Sequence, residues 1–369
     1  MNKSPKALRD EFSQAVLNFI WSQWGQVGVH TSTNLKSGPL FDPEPLVLLS
    51  LACGRNDPRL FDAVLDWLRV NGRWMNVTRL RTLAGGLKTN FQMSLLGAVA
   101  ATMTEHDVTA KWTAMAKDLK PGKVEKTESV FPKLGDLAVV RQKDPVFAEY
   151  GWSRSPWVFS EKAQALDFSN PVALMLKCRA FFGVTMRADI FARLLLRESL
   201  SVTELARGLG YSQRRVYEAL TEMATSEVIR IMKDGARNEY SVNMMAGWKL
   251  MYQGMPEDEG MTKPQVFDWC RFARGMIFIW NKLFSLNLEA TPMEDFNLGM
   301  FAVCEESKKE FGSTAPEGTD RRIEPSVFLR EMMNCLTLGT PPRKKPKSFS
   351  YALDRPDREG PRHASRIGA

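Results

Sequence analysis

Two short amphipathic segments meet at a glycine near the middle of this 369-residue chain. In the first, SVTELARGLG, apolar side chains recur every three or four residues, which places them on one face of a helix. Ser201 or Thr203 can cap its first turn, with Glu204 at the reciprocal position of a capping box. Gly208 and Gly210 are expected to end the helix, because a tight turn between crossing helices commonly needs a residue that tolerates positive φ. The pattern predicts two helices that cross at this turn.

The second segment, YSQRRVYEALTEM, predicts a helix whose two sides differ in character. Its inward face is apolar and consists of Val216, Ala219, Leu220 and Met223. Gln and Arg, which lie in its first turn, form bidentate hydrogen bonds with adenine and guanine in the major groove of DNA. The first residues of such a helix are also those that reach base edges. We therefore predict a capping role for Ser212 and DNA contacts from Ser212, Gln213, Arg214, Arg215 and Tyr217.

Two β-prone runs follow at 228–232 and 239–242, on either side of the turn-forming sequence KDGARN. They predict a β-hairpin. Lys233 and Arg237 near its tip are expected to neutralise DNA phosphates, which positions a protein on the duplex without reading its sequence. The hairpin would therefore orient the second helix and leave base selection to it.

The string SVTELARGLGYSQRRVYEALTEMATSEVIRIMKDGARNEYSV resembles the winged helix-turn-helix superfamily of bacterial transcriptional regulators. This resemblance implies a mainly α fold with a central winged helix-turn-helix, a small β-hairpin wing, and helical regions on both flanks. Together with the preceding FFGVTMRADIFARLLL, the string also resembles antitoxin-type regulators encoded beside nucleotidyltransferase toxins in defence loci, which implies a protein partner. One departure is Glu227, where such proteins often carry glycine between the helix and the wing.

The same residues also fit other interpretations. Winged helices serve as protein-docking modules and as structural subunits of nucleoprotein assemblies, so the fold alone does not establish DNA binding. Arg214 and Arg215 would then form a solvated face, with Glu218 and Glu222 as ion-pair partners along the helix. A ligand-responsive regulator is a further alternative, but it needs a pocket that no sequence feature identifies.

Basic charge is concentrated in the central segment and in the C-terminal tail. The net charge of the chain is +8. Residues 171–250 hold twelve Lys and Arg against eight Asp and Glu, and residues 341–369 hold eight against three. A surplus restricted to these two segments fits attraction to phosphate better than a uniformly basic surface would. Double-stranded DNA is therefore the expected partner.

Helical patterns surround the central domain, which we place at 166–250. Residues 1–110 predict an N-terminal helical domain. One of its helices, capped by Asn76, would belong to a second, degenerate helix-turn-helix. Arg73, Arg79 and Arg81 are spaced too irregularly to define a DNA-reading face, which favours a packing role for this unit.

Residues 111–165 predict a linker and an aromatic connecting segment, because polar residues with Pro and Gly breakers are followed by aromatic side chains among turn formers. Trp152, Trp157 and Phe159, beside Arg154, have the composition that stacks bases of single-stranded nucleic acid. Aromatic residues in a segment that leads into a domain more often pack against that domain, and packing is the interpretation we favour.

Residues 251–340 predict a C-terminal helical region, and 341–369 a disordered basic tail that has too few apolar groups to fold. The helix at 263–286 is apolar almost all round, so it is either deeply buried or an oligomer interface. A homo-oligomer formed through the helical regions is expected, since two copies would match a palindromic DNA site.

Motifs for catalysis or cofactor binding are missing from the sequence, which contains no phosphate-binding loop, nucleophile elbow or zinc-protease motif. The sequence has three histidines: His30, His106 and His363. None has a cysteine or carboxylate at the spacing that metal ligands require. Asp62 and Asp66 are interpreted as solvent-facing ion-pair partners of Arg59 and Arg69. We expect no enzyme activity, no cofactor and no metal.

The five cysteines lie far apart, mostly in apolar contexts, and are expected to be reduced and buried. No apolar run approaches the roughly twenty residues that span a bilayer, and the first residues lack the apolar stretch of a signal peptide. These features predict a cytoplasmic protein without a membrane partner.

Overall fold

The computed structural model describes residues 4–31, 38–105, 110–132, 142–234, 237–253, 262–316 and 323–337. Within these ranges the protein is mainly helical and carries two small sheets, which confirms the predicted fold class at this level. The predicted disordered tail at 341–369 and the loop residues 235–236 lie outside them. In the described part, no helix is both long and apolar enough to cross a membrane.

Helices dominate the N-terminal part: α1 (Pro5–Gly25), α2 (Pro43–Gly54), α3 (Pro58–Asn71), α4 (Val77–Gly86), α5 (Met93–Thr104) and α6 (Lys111–Leu119). Helix α4 begins at its predicted cap, Asn76, and α3 begins at a similar cap, Asp57. The Asp57 carboxylate accepts hydrogen bonds from the backbone N–H groups of Arg59 and Leu60, and the Asn76 side chain accepts one from Arg79. These bonds satisfy N–H groups that a helix leaves free in its first turn.

The segment predicted as a linker and connecting segment, 111–165, contains the helix α6, which was not predicted there. It also contains shorter elements: β1 (Glu128–Ser129), α7 (Pro145–Glu149) and β2 (Trp152–Ser153). Strands β1 and β2 pair in parallel. Trp152 is buried, and Trp157 packs against the same core as the N-terminal helices. These two tryptophans therefore pack as the sequence analysis predicted.

Asp66 is fully buried, so its assignment as a solvent-facing ion-pair partner was wrong. The connecting segment folds over α3 and supplies hydrogen bonds to this carboxylate from the Trp157 indole N–H (3.1 Å) and the Ser160 hydroxyl (2.5 Å). Asp62, one turn earlier, accepts a hydrogen bond from Arg154 at 2.6 Å. Polar partners that are distant in sequence thus allow the Asp66 carboxylate to be buried.

The central part consists of α8 (Leu174–Phe182), α9 (Met186–Leu194), β3 (Leu200–Ser201), α10 (Val202–Leu209), α11 (Gln213–Thr225), β4 (Arg230–Asp234), β5 (Arg237–Ser241) and α12 (Met244–Tyr252). The strands form an antiparallel sheet in the order β3-β5-β4. Strands β4 and β5 are the predicted hairpin, and β3 adds a short third strand that pairs Leu200 with Tyr240.

The C-terminal part contains α13 (Trp269–Ser285), α14 (Met293–Phe311) and α15 (Pro325–Thr337). Helix α13 begins later than predicted, because the Asp268 side chain caps it by accepting a hydrogen bond from the backbone of Arg271. Most of its side chains are buried, including Trp269, Phe272 and Trp280. Of the two alternatives for this helix, burial in the core is the one that the structure supports.

Two hydrophobic cores organise the molecule. The larger one joins the N-terminal helices, the connecting segment and the C-terminal helices, with α1 against α15 and α2 against α13. The smaller core consists almost entirely of side chains from α8 to α12, and Leu40 is its contribution from outside. The outer segments of the chain therefore pack together, and the central part rests on them as a distinct layer.

Candidate nucleic-acid interface

Helix α10 starts and stops through local contacts. Its Ser201 hydroxyl accepts a hydrogen bond from the backbone of Glu204, whose carboxylate accepts one from the backbone of Ser201, so the predicted capping box is confirmed. Gly210 follows the helix with a φ of +69°. Gly208 lies inside α10, so its predicted role in ending the helix was wrong. The left-handed backbone of Gly210 therefore ends α10 directly after Leu209.

Helix α11 separates its two sides as predicted. The Ser212 hydroxyl caps it by accepting a hydrogen bond from the backbone of Arg215. Val216, Ala219, Leu220 and Met223 are buried in the smaller core. The exposed residues of this helix include every predicted DNA contact on it: Ser212, Gln213, Arg214, Arg215 and Tyr217.

Ion pairs occupy part of this exposed surface. The Arg214 guanidinium donates to the Glu218 carboxylate at 2.9 Å, one turn further along α11. Arg187 of α9 pairs with Glu222. Arg215 lines a shallow cleft of about 160 Å³ between these two helices, and it forms no ion pair with another described residue. Arg214 therefore has to exchange its partner before it can contact DNA, whereas the guanidinium of Arg215 is available.

The hairpin places its two predicted phosphate contacts on opposite faces. Lys233 is paired across the strands with Asn238, and Asp234 with Arg237. Because side chains alternate along a strand, Lys233 shares a face with Ile231 and Tyr240, and Arg237 points the other way. Both Lys233 and Arg237 are exposed.

The face that carries Lys233 adjoins α11. Burial of Tyr240 raises the pKa of its hydroxyl, and the nearby Tyr217 hydroxyl raises it further. Tyr217 is 53% exposed and Ile231 is 51% exposed, which leaves apolar surface between the helix and the hairpin. Tyr217 of α11 therefore lies near the hairpin face that carries Lys233, whereas Arg237 lies on the opposite face.

Six buried charged side chains lie beneath the α10–α11 turn, and we call them the ion cluster: Asp42, Glu44, Arg79, Arg179, Asp189 and Arg193. They comprise three carboxylates and three guanidinium groups, so their formal charges balance. Asp42 and Glu44 come from the start of α2 and Arg79 from α4, whereas the other three lie on α8 and α9. The cluster therefore joins the two hydrophobic cores.

Arg79 and Arg179 hold the cluster together. Arg79 donates to both Asp42 oxygens, at 2.5 and 2.7 Å, and to Glu44 at 2.5 Å. Arg179 makes two-point contacts with Glu44 and with Asp189, at 2.7 to 3.1 Å. Burial by itself would raise the pKa of Glu44, but the facing guanidinium groups of Arg179 and Arg79 outweigh it and lower that pKa to about 2. All three carboxyl groups in these contacts have the partners that a buried charge requires.

The ion cluster also forms hydrogen bonds with the α10–α11 turn. Arg79 donates to the Leu209 carbonyl at 2.7 Å, and Arg193 donates to the Gly208 carbonyl at 3.2 Å. The Tyr211 hydroxyl donates to Asp189 at 2.7 Å and accepts from the Asn76 side chain at 3.1 Å. The last carbonyls of α10, which a helix leaves without partners, are therefore bound by side chains from α4 and α9. This arrangement fixes the start of α11 relative to the rest of the protein.

Sequence reasoning missed the ion cluster. Burial of Arg79 agrees with the packing role predicted for its unit, but its ion pairs and its contact with the turn were not predicted. A signal was present in FDPEPLVLLSLAC, where Asp42 and Glu44 precede an unbroken apolar run. Two acidic residues at the start of a fully buried helix call for cationic partners elsewhere in the chain.

Glu227 has a φ of +58° and is exposed between α11 and the hairpin. This left-handed backbone costs residues other than glycine about 1–2 kcal/mol. Glu227→Gly should raise the free energy of unfolding by about 0.5–1 kcal/mol, because relief of this strain exceeds the added entropy of the unfolded chain. Urea denaturation measures the change. Glu227→Ala, which keeps a Cβ, should stay within about 0.5 kcal/mol of the wild type, and an equal gain in both variants would contradict the backbone explanation.

None of the described cysteines forms a disulfide bond; four of the five are buried and Cys335 is partly exposed. Among the described residues, no group of three or more His, Cys, Asp or Glu side chains is arranged to hold a metal ion. His106 and His363 lie outside the described ranges.

Comparison with known proteins gave no match: no protein-family model, curated protein or solved structure is significantly similar to this chain. A function for the chain must therefore be argued from its own residues.

Proposed function

We propose that the central part of the chain is a winged helix-turn-helix that binds duplex DNA. In this arrangement α11 enters the major groove, and the β4–β5 hairpin is the wing that contacts phosphates. The observation that carries the proposal is the division of α11, which buries its apolar face while all of its predicted DNA contacts are exposed. The exposed Lys233, on the hairpin face near Tyr217, adds a cation for a flanking phosphate.

The biological role that fits best is transcriptional regulation, by a cytoplasmic repressor or an antitoxin-type regulator without enzyme activity or cofactor. The larger helical core would hold the DNA-binding part in a fixed orientation. A homo-oligomer would present two copies of α11 to a palindromic site, and a protein partner would dock on the helical regions.

Selection of bound sequences from random duplexes, with the full chain, would identify a preferred site. On that site, Arg214→Ala and Arg215→Ala should each weaken binding by about 1–3 kcal/mol, because each removes a base-edge contact. Lys233→Ala and Arg237→Ala should weaken binding to all duplexes alike, and each should reduce the slope of log affinity against log salt by about 1. Fluorescence anisotropy over a salt series measures both effects.

Arg59→Ala is the matched control, since this arginine is 82% exposed on α3 and its loss changes the net charge equally. Its affinity should equal that of the wild type. An unchanged affinity of the Arg214→Ala, Arg215→Ala double variant for the selected site would contradict the proposal that α11 reads the DNA sequence.

A protein-docking role is the second candidate, and two observations favour it. The Arg214–Glu218 ion pair is the arrangement expected of a solvated helix face. Tyr217 and Ile231 expose apolar surface beside it, and aromatic residues of this kind are enriched in protein interfaces. Failure of the selection to enrich any sequence, combined with weakened binding to a protein partner in Tyr217→Ala, would favour this alternative.

A further inference from the structure

A cleft of about 440 Å³ opens on the side of the larger core. It lies between α1, the C-terminal end of α2 and the C-terminal half of α13, with Arg9, Arg55, Asn56, Trp280 and Phe284 in its lining. Its volume falls within the range of small-molecule sites in proteins, which is roughly 300–1,000 Å³. None of these side chains belongs to the proposed DNA-binding surface.

One wall of the cleft is aromatic. The Trp280 and Phe284 rings lie 4.6 Å apart between centroids and 39° apart in tilt. The Arg9 guanidinium lies 5.5 Å from the centroid of the Phe284 ring. Such a wall offers a flat apolar surface for stacking beside a cation.

The polar groups of the cleft are mainly hydrogen-bond donors. Arg55 is fixed by bonds to the carbonyls of Val130 (3.0 Å) and Ser129 (3.2 Å) and to the Gln92 side chain (2.8 Å). A guanidinium has five N–H groups, so these bonds leave part of its donor capacity unused. Arg9 forms an ion pair with Asp10, whose carboxylate accepts a hydrogen bond from the Arg9 Nε at 3.1 Å. Asp10 is not part of the lining, and the remaining N–H groups of Arg9 are those that a ligand could use.

Trp280 carries a further donor without a partner. Its ring is only 2% exposed, and its indole N–H makes no hydrogen bond to a described residue. The indole nitrogen is not fully buried, so its N–H is open to solvent where Trp280 lines the cleft. The Asn56 side-chain amide likewise makes no hydrogen bond within the described ranges. Two guanidinium groups, an indole N–H and an amide thus line a cleft that has no acidic side chain in its lining.

We propose that this cleft binds a small aromatic carboxylate. The flat ring of the ligand stacks on Trp280 and Phe284, and its carboxylate accepts hydrogen bonds from Arg9 and from the free donors of Arg55 and Trp280. The proposal is independent of DNA binding, because it concerns a different core and different residues. It supplies the pocket that a ligand-responsive regulator needs.

Isothermal titration calorimetry of the full chain with 2-naphthoate tests the proposal. Saturable binding is expected, with 2-naphthamide and acetate each at least about tenfold weaker, because the first lacks the charge and the second lacks the ring. In ¹⁵N-labelled protein the indole N–H resonance of Trp280, assigned with Trp280→Phe, should shift on titration. Equal affinity for the acid and the amide, or no saturable binding of any of the three probes to folded protein, would overturn the proposal.

Arg9→Met keeps a long apolar side chain against Phe284 and removes the cation. It should weaken 2-naphthoate binding by about tenfold, with Arg59→Met as an equally charged control that binds like the wild type. Ser285→Trp narrows the cleft without changing its charge and should abolish binding. Affinities of both cleft variants within twofold of the control would contradict the site, and circular dichroism of each variant establishes that it is folded.

Discussion

Arg79→Met is expected to reduce the free energy of unfolding by about 3–5 kcal/mol, because it leaves the buried carboxylates of Asp42 and Glu44 short of a partner. It also removes the donor to the Leu209 carbonyl. A loss of this size is a large part of the total stability of a typical domain, which is about 5–15 kcal/mol. Urea denaturation monitored by tryptophan fluorescence measures it.

Arg81→Met provides the matched control two residues further along α4. Arg81 is half-exposed and pairs with Asp118, so its loss should cost no more than about 1 kcal/mol. The double variant Asp42→Asn, Arg79→Met restores the charge balance of the cluster and should recover part of the loss. Similar costs for Arg79→Met and Arg81→Met would contradict a structural role for the ion cluster.

Gly210→Ala is expected to lower the free energy of unfolding by about 2–4 kcal/mol, since two costs add there. The backbone has a φ of +69°, and an added Cβ would lie 2.4 Å from the Leu83 Cδ2 atom and 3.2 Å from the Cys270 sulfur. Either the Leu83 side chain or the start of α11 would have to move to relieve the clash, and the strain of the positive φ would remain. Thermal and urea denaturation of the variant measure the cost.

Gly208→Ala is the control, and it should change stability in the opposite direction. This glycine lies inside α10, and an added Cβ would meet nothing within 4 Å. Alanine should therefore stabilise the protein by about 0.5–1 kcal/mol through its higher helix propensity. The two substitutions should therefore change the free energy of unfolding in opposite directions. A loss of stability in both variants would contradict the explanation by backbone strain and close packing at Gly210.

Local sequence patterns were sufficient to predict α10, α11 and the hairpin. Capping by Ser201 and Ser212, the left-handed turn at Gly210 and the spacing of apolar residues all act within a few residues of each other. The exposed positions of Gln213, Arg214, Arg215 and Tyr217 follow from the same spacing. These features could be predicted because a helix places its faces by a fixed rotation per residue.

The ion cluster and the shared outer core depend on contacts between distant parts of the chain. Arg179 meets Glu44 across 135 residues of sequence, and the Trp269 indole donates to the Leu40 carbonyl across 229. The periodicity of apolar residues does not indicate contacts between such distant residues. The same limit explains Asp66, whose surface-like spacing on α3 gave no indication that residues 157–162 would cover it.

The ion cluster has a practical consequence for dissecting this protein. A fragment cut at the edges of the central part would keep Arg179, Asp189 and Arg193 and lose Asp42, Glu44 and Arg79. Its formerly buried interface would carry a net positive charge. The α10–α11 turn would also lack its hydrogen bonds from Arg79 and Asn76. The central part therefore does not carry all the contacts that stabilise it. A chimeric protein that contains it would need to include α2 and α4 as well.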